Sequence, residues 1–507
     1  MDKLNGWGLQ YASQEQQEAA VGQIVDDAFQ TVRPLLVQTM LAFLCVPLSP
    51  TSFMRLELQL ICLMRQLGRE LLQSIVQSLE SVDCWSAPRN LEFECGLYRR
   101  RSDVARNSSI STMFGNIVLM RTGYRSRLPG EKTIFPIELM LGMCHNVSPA
   151  LLDFVGRTIA STGHSQQATL LIIKEQCDVS MGVKRLRACI EHLAAAMEPL
   201  RQSSQVEALL EVLAQAQRSS GNRKPVLSVG RDGITLRSHK HGFFEVATAA
   251  TISVYDRAGK RLRTIYLAFP PEPGQATMDT MLSQLLTELF TRWSGPLPRL
   301  AYVTDSGSNE IDYYRQVLRK MKHPVSGKLL EWTRVADFYH ASERVWAMAH
   351  ALFGDENTQQ AAAWARRMLK TLKKPCGASR VLHSAASLFH RRELSETRKG
   401  DYLKAYRYIQ TRLKHLRYCD YRQQHIPLGS GVTEAACTTI FTQRLKLSGM
   451  AWSHSGAKNI LILRTILLSQ TWNSTYADYL EQQQTPQILT YQPNQNPCPE
   501  NPLQNAA

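Results

Sequence analysis

The sequence predicts a mixed α and β protein: a mainly helical N-terminal region leads into a mixed five-stranded sheet with flanking helices, and an all-helical segment interrupts that sheet domain before its last helices. Three observations carry this. Apolar residues recur at helical spacing up to about residue 86, the period switches from about 3.6 to about 2 after residue 225, and helical spacing returns from residue 341 with a strong charge bias. At 507 residues the chain has room for about three domains, and 44% hydrophobic against 20% charged residues excludes a wholly disordered chain.

Residues 1–90 read as a helical packing or dimerisation region. Ser13 and Gln16 have capping-box spacing, and Val21, Val25, Ala28 and Val32 share a face. After a break at Pro47 and Pro50, Leu60, Met64, Leu67, Leu71 and Ile75 repeat the pattern. The apolar run 34–47 is interrupted by Gln38 and is shorter than the roughly 20 residues that span a bilayer. Residues 1–10 have no basic stretch ahead of an apolar core, so neither an anchor nor a signal peptide is expected. Eleven cysteines without a Cys-x-x-Cys pair point to reduced thiols in a cytosol and away from a zinc site.

Residues 91–218 read as a β-hairpin followed by a helix-turn-helix, a DNA-binding arrangement. β-type residues fill 114–124 beside Arg121 and Arg125, and Pro136 opens an apolar helix. Ser165 and Ser180 then stand in N-cap position before two short helical patterns, 165–176 and 180–193, separated by Cys177-Asp178-Val179. In the second, Val183, Leu186, Ile190 and Leu193 face inward, which leaves Lys184, Arg185 and Arg187 where a recognition helix meets base edges and phosphates. Two capped helices around a tight turn also describe a plain helical hairpin, so both readings stay open.

Ser219-Ser220-Gly221-Asn222 and Arg223-Lys224-Pro225 form a linker. Beyond it, residues 226–236, the alternating Phe244, Val246, Thr248, Ala250, Ile252 and Val254, and residues 262–269 read as three antiparallel strands, the last two joined by Asp256-Arg257-Ala258-Gly259. An amphipathic helix over 278–293, an apolar strand over 300–304 and another over 332–336 follow. That order is the one expected of a ribonuclease H-like core, assigned here to residues 225–340 and completed by helices in 425–473.

The helical insertion, 341–424, holds the charge. From 361 to 424 sixteen Lys or Arg face only Glu393, Glu396, Asp401 and Asp420, so twelve of the chain's sixteen net positive charges lie there. Tyr402, Tyr406, Tyr408, Tyr418 and Tyr421 are interleaved with them. Cations that neutralise phosphates beside rings that stack on bases suit a DNA-gripping surface, and a solvated basic face with no ligand is the plainer alternative. The candidate DNA contacts are Arg366, Arg367, Lys370, Arg398, Lys399, Lys404 and Arg407, with Arg444 and Lys446 in the last helices. The tail 474–507, rich in Gln, Asn and Pro, is expected to be disordered.

Three carboxylates suggest the chemistry. Asp232 lies in the first strand, within Gly230-Arg231-Asp232-Gly233, and Asp305 ends the fourth, after Tyr302-Val303-Thr304. In a ribonuclease H-like sheet these two strands are neighbours. Glu434 falls in the first turn of the helix announced by Gly429-Ser430-Gly431-Val432-Thr433. Like charges so close need a compensating cation, and two divalent ions roughly 3.5–4 Å apart meet that need in phosphodiester chemistry. Hard oxygen donors select Mg²⁺ or Mn²⁺ over zinc. Each acid also has an ordinary structural use, in an Asp-Gly turn or at a helix start.

The most specific motifs are Thr304-Asp305-Ser306-Gly307, Ala336-Asp337-Phe338-Tyr339-His340 and Gly429-Ser430-Gly431-Val432-Thr433-Glu434-Ala435-Ala436-Cys437, continued by Gln443-Arg444-Leu445-Lys446, Ser448-Gly449-Met450 and Trp452. Through them residues 99–472 resemble the Asp-Asp-Glu transposases of bacterial insertion sequences, close to the ISKra-type group. The resemblance implies Asp232, Asp305 and Glu434 as catalytic ligands of two Mg²⁺ or Mn²⁺ ions, with Asp337 and His340 as an Asp-x-x-His signature behind them. By chemistry alone that His could orient the Asp or contact a scissile phosphate.

The implied protein is a DNA transposase that binds the terminal inverted repeats of its element, hydrolyses the phosphodiester there and joins the freed end to target DNA. It would work as a homodimer or larger assembly at the nucleoid, in a bacterial cytoplasm, with no membrane partner. A ribonuclease H-like nuclease without strand transfer and a silent DNA-binding relic are the alternatives. Many members of the group carry paired cysteines ahead of the hairpin, whereas Cys95 has no close partner in the sequence.

Overall fold

The computed structural model describes residues 13–80, 87–93, 96–101, 106–126, 133–161, 163, 165–237, 244–447, 450–483 and 490–491. Cys95, Ser448 and Gly449, residues 1–12 and residues 492–507 lie outside the described residues. Helix α1 (Gln14–Leu44) starts where Ser13 Oγ accepts the Gln16 N–H, and α2 (Pro50–Ser78) starts at a reciprocal Ser49–Ser52 capping box. Ala28, Val32 and Leu67 are buried together, while Val21, Val25, Met64, Phe29 and Leu58 stay exposed. Two helices bury one stripe each, and the apolar residues outside those stripes remain on the surface.

The chain divides into two compact units, Met1–Ile159 with His164–Leu193 and Ala477–Ala507, and Ala160–Gly163 with Ala194–Tyr476. In the first unit β1 (Asn90–Phe93), β2 (Gly96–Arg100), β3 (Arg106–Thr112), β4 (Gly115–Arg121) and β5 (Tyr124–Ser126) form two antiparallel groups, β3 with β4 and β2 between β1 and β5. Helices α3 (Pro136–Met140), α4 (Pro149–Ala160) and α5 (Gln166–Cys177) follow, the last capped by Ser165.

The next helix corrects the sequence reading. Instead of a short helix over 180–193, α6 runs Val183–Arg218, because apolar residues continue at helical spacing through Met197, Leu200, Leu209 and Leu213, all buried. The second helix of the expected helix-turn-helix is therefore the opening of a 36-residue helix.

The second unit is built on β6 (Val226–Arg237), β7 (Phe244–Tyr255), β8 (Arg261–Phe269), β9 (Arg299–Thr304) and β10 (Trp332–Ala336), close to the strands read from sequence. They form one mixed sheet in the order β10-β9-β6-β7-β8, with β6, β7 and β8 antiparallel in turn and β9 parallel to both β6 and β10. Alternate residues feed two cores. Leu227, Val229, Ile252, Leu300 and Tyr302 pack with the later part of α6 and with α7 (Ala276–Arg292) and α8 (Ser308–Gln316). Val226, Ala301, Val303, Val335 and Ala336 pack with α9 (Phe338–Phe353), α10 (Thr358–Leu372), α11 (Gly377–Phe389), α12 (Glu396–Thr411) and α13 (Tyr418–Gln423).

Tyrosine placement corrects a second expectation. Tyr402, Tyr418 and Tyr421 are buried and Tyr406 and Tyr408 are half-buried against the same core, so the rings hold the helical insertion together; Tyr402 stacks on Phe389 at 4.4 Å between centroids. The chain closes with α14 (Gly431–Cys437), a π-helical turn Thr438–Thr442, α15 (His454–Leu468) and α16 (Trp472–Gln482). This last helix overturns disorder from residue 474: Trp472, Tyr476 and Tyr479 share one face at helical spacing and are buried. Among the described residues no helix is long and apolar enough to cross a membrane.

Candidate active site

The parallel pairing of β6 with β9 runs from Val226↔Arg299 to Val229↔Tyr302. Asp232 comes three residues after this pairing on β6 and Asp305 directly after the end of β9, close enough for the Asp305 charge to act on Asp232. Asp232 Oδ1 accepts the Gly233 N–H at 2.8 Å, and Asp305 Oδ1 accepts the Gly307 N–H at 3.0 Å across a left-handed Ser306. The insertion fixes this second turn. From α12, Tyr408 Oη donates to Asp305 O at 3.1 Å, and just beyond it Arg412 donates to Ser306 O at 3.1 Å.

Glu434 is carried by α14, which rests on the sheet through Thr433: its hydroxyl lies 2.7 Å from that of Thr251 on β7, above Gly230. Asp232 feels the other two acids. Burial pushes Asp232 above the usual carboxylate range, and the charges of Asp305 and Glu434 push in the same direction, against hydrogen bonds from Gly233 and Cys437. Cys437 itself is raised by burial and by the Asp232 charge. A fourth carboxylate, which the sequence reading missed, joins them. Glu310 on α8 is buried, its carboxylate fills the space beside Gly307, and burial followed by the charges of Asp305 and Asp232 raises it. Its spacing, five residues after Asp305 in the next helix, was the available signal.

Asp337 and His340 form the other half of the site. Fully buried Asp337 caps α9, accepting the His340 N–H at 2.9 Å, while its Oδ1 lies 3.4 Å from His340 Nδ1. Ser430 donates to Asp337 Oδ2 from its backbone N–H and lies 2.7 Å away through Oγ, and the same Oγ is 2.7 Å from Glu434 Oε1. One hydroxyl proton cannot serve two carboxylates, so positive charge is needed nearby, and His340 Nδ1 stands 3.8 Å from Glu434 Oε1. Asp337, His340 and Glu434 bring their ligand atoms within 4.8 Å of one another; the predicted trio Asp232, Asp305 and Glu434 is not drawn to that closeness, because the Glu434 carboxylate leans on Ser430 and His340.

The Asp337 carboxylate, 3.4 Å from Nδ1, lifts His340 to about 9. Burial alone would raise Asp337, but hydrogen bonds from His340 and Ser430 bring it down to about 2. The His340 contribution to stability is complete below its ordinary value of about 6.5 and is lost as pH rises through about 9. The Asp337 contribution is complete above about 3.9 and is lost as pH falls through about 2. Thermal melts in chelator should therefore fall between pH 6.5 and 9, and Asp337→Asn should flatten that fall; an unchanged slope in the variant would refute the pairing.

The proposed DNA contacts divide by exposure. Arg366, Arg367, Lys370, Lys404, Arg407, Lys446 and Lys184 are exposed. Arg398 donates to Ala351 O at 2.8 Å, Lys399 pairs with Glu396 at 2.7 Å, and Arg187 donates to the Gln166 side chain. Arg185 donates to the carbonyls of His145 and Asn146, which occupies its guanidinium within the fold. Arg444 corrects the sequence reading outright: it is fully buried, with its guanidinium carbon 5.1 Å from the Trp452 ring centre, and burial lowers it to about 10. An Arg in that position cannot meet a phosphate from solution. No family model matches the sequence, and no curated protein matches it.

Proposed function

We propose that this protein is a DNA transposase of the Asp-Asp-Glu type, with a ribonuclease H-like catalytic core. The observation that carries the reading is the coupling of Asp232, on β6, to Asp305, directly after the neighbouring parallel strand β9, and to Glu434 on the helix above. Strand order supports the fold: an antiparallel β6-β7-β8 group with β9 and β10 added in parallel on the other side of β6.

The donor set suits a hard divalent cation, Mg²⁺ or Mn²⁺, in two copies. Asp232, Asp305 and Glu434 would hold them, and the carboxylates Asp232 and Glu310, raised first by burial and then by their neighbours' charges, are what an added positive charge would relieve. When bound, such ions supply positive charge to the attacking and leaving oxygens of a phosphodiester displacement. The protein's own groups do the positioning. The Gly233 and Gly307 N–H groups orient the aspartates, Tyr408 and Arg412 hold the Asp305 turn, and the Asp337–His340 pair steers Glu434 and keeps a cation at the edge of the site. Water attacks the phosphodiester at the transposon end, leaving a 3′-hydroxyl that then displaces a phosphate oxygen in target DNA. The protein would act at the nucleoid in a bacterial cytoplasm, as a homodimer or larger assembly joining two ends.

The test is incubation of purified protein with Mg²⁺, DNA carrying the repeats that flank its gene, and a supercoiled target. End nicking followed by joined product is expected; nicking without joining would move the reading to a nuclease, and binding without nicking to a relic. DNA affinity has its own test. The exposed Arg366, Arg367 and Lys370 lie on α10, whose opposite face is anchored by Trp364, Met368 and Leu372, so their triple replacement by Gln should not unfold the helix. It should weaken binding and lower the salt slope by about 0.9 for each phosphate that is no longer neutralised; an unchanged slope would remove this surface from the interface.

A further inference from the structure

We propose a zinc site made by Cys144, His145, Cys189 and His192, which pins the turn after α3 to the start of α6. All four residues belong to the first unit, and the inference does not rest on the transposase reading.

The ligand atoms of Cys144, His145 and His192 lie within 4.8 Å of one another. Cys189 stands one helical turn before His192, and its buried thiol is close enough to Cys144 for charge on one to oppose charge on the other. Two sulfurs and two imidazoles form the donor set that zinc takes in closed tetrahedral sites, with bonds of about 2.0–2.3 Å and hence donors less than roughly 4 Å apart. Cys144, His145 and His192 need contract by under about 1 Å to meet that geometry, and Cys189, outside their 4.8 Å spread, closes it by a turn of its side chain.

The backbone is prepared for it. Cys144 and Val147 exchange both backbone hydrogen bonds, at 3.0 and 2.8 Å, around His145 and Asn146, which both have left-handed φ values, 50° and 57°. Two successive non-glycine residues in that region are strained and persist only where their surroundings over-determine them. The surroundings here are Arg185, which donates to both central carbonyls, and the Ser111 N–H, which donates to Asn146 O at 2.9 Å.

The imidazole of His192 is held by a hydrogen bond to Tyr479. With Nε2–H donated to Tyr479 Oη at 3.0 Å, Nδ1 carries the lone pair, and Gln483 donates to the same phenol oxygen at 2.5 Å. A ligating histidine whose other nitrogen is fixed by a hydrogen bond is the arrangement that tunes metal-bound imidazoles. Sequence spacing hid the cluster, since it combines Cys-His in a turn with Cys-x-x-His on a helix and contains no Cys-x-x-Cys.

The experiment is metal analysis of the full chain purified under reducing conditions, with Co²⁺ substitution read by absorption. A single equivalent of zinc is expected, and the cobalt form should show tetrahedral d–d bands with sulfur-to-cobalt charge transfer. Cys189→Ser and His192→Asn should lose the metal, and exposed Cys62→Ser should keep it. Absence of sulfur charge transfer in the wild type, an unchanged spectrum in Cys189→Ser, or a Cys144–Cys189 disulfide in the reduced preparation would overturn the site. If the variants do not fold, the wild-type spectrum decides when read beside Cys437→Ser, which removes the thiol next to Asp232 and should leave the charge-transfer band unchanged; loss of the band in Cys437→Ser would overturn the site.

Discussion

Asp305→Asn and Asp232→Asn are expected to lower Mg²⁺-dependent DNA cleavage by at least about 10³-fold, the scale of several kcal/mol of lost charge stabilisation, while DNA affinity stays within a few-fold. The substitutions are chosen to spare the local backbone. An Asn oxygen can still accept the Gly307 or Gly233 N–H, and the grip of Tyr408 and Arg412 on the Asp305 turn uses main-chain carbonyls that the change leaves in place. The stability readout separates catalysis from structure. Asp232 is held above its ordinary carboxylate range by burial and by neighbouring negative charge, so its ionised form opposes folding, and the neutral amide should melt at a higher temperature than wild type in chelator. A turn-forming Asp would behave in the opposite way, losing stability on substitution while cleavage persisted. Retained cleavage in either variant would end the metal-ligand assignment.

Asp232 and Asp305 were legible in the sequence because strand patterning carries its own register. Alternation from Val226 and the apolar run ending at Thr304 locate the strand ends, and parallel pairing then brings the acids near each other. What was not legible depends on contacts between distant segments. Glu310 becomes a neighbour of Asp305 only because Gly307 leaves space for its carboxylate, and the link from Asp337 to Glu434 runs through Ser430, 93 residues away from Asp337. The basic segment misled in a specific way: its tyrosines share helices with the cations but occupy their apolar faces, so Tyr402 and Tyr418 fill the core while Arg407 stays in water. Composition counted them together; burial separates them. Arg444 is the same lesson in one residue, a cation two positions from the exposed Lys446 whose own place is interior.

Gly230→Ala should reduce cleavage by about 10²-fold although residue 230 carries no reactive group. Gly230 pairs with Thr251 on β7, and a Cβ there would overlap Thr433 Oγ1 and approach Thr251 Oγ1 to 3.0 Å. Helix α14 reaches the sheet only because that volume is empty, and the Thr251–Thr433 hydroxyl contact at 2.7 Å closes over it. A methyl group must lift α14 or bow β6, and each displaces a carboxylate, since Glu434 follows Thr433 and Asp232 lies two residues after Gly230. A shift of about 1 Å at reacting groups costs on the order of 10²-fold, and overpacking costs about 1–3 kcal/mol of stability. Thr433→Ala removes the clashing oxygen. If the close approach is the cause, the double variant Gly230→Ala with Thr433→Ala should cleave better than Gly230→Ala alone, a non-additivity that general destabilisation would not produce. Full activity in Gly230→Ala, or strictly additive losses in the double variant, would show that the seating of α14 on the sheet does not set the position of Glu434.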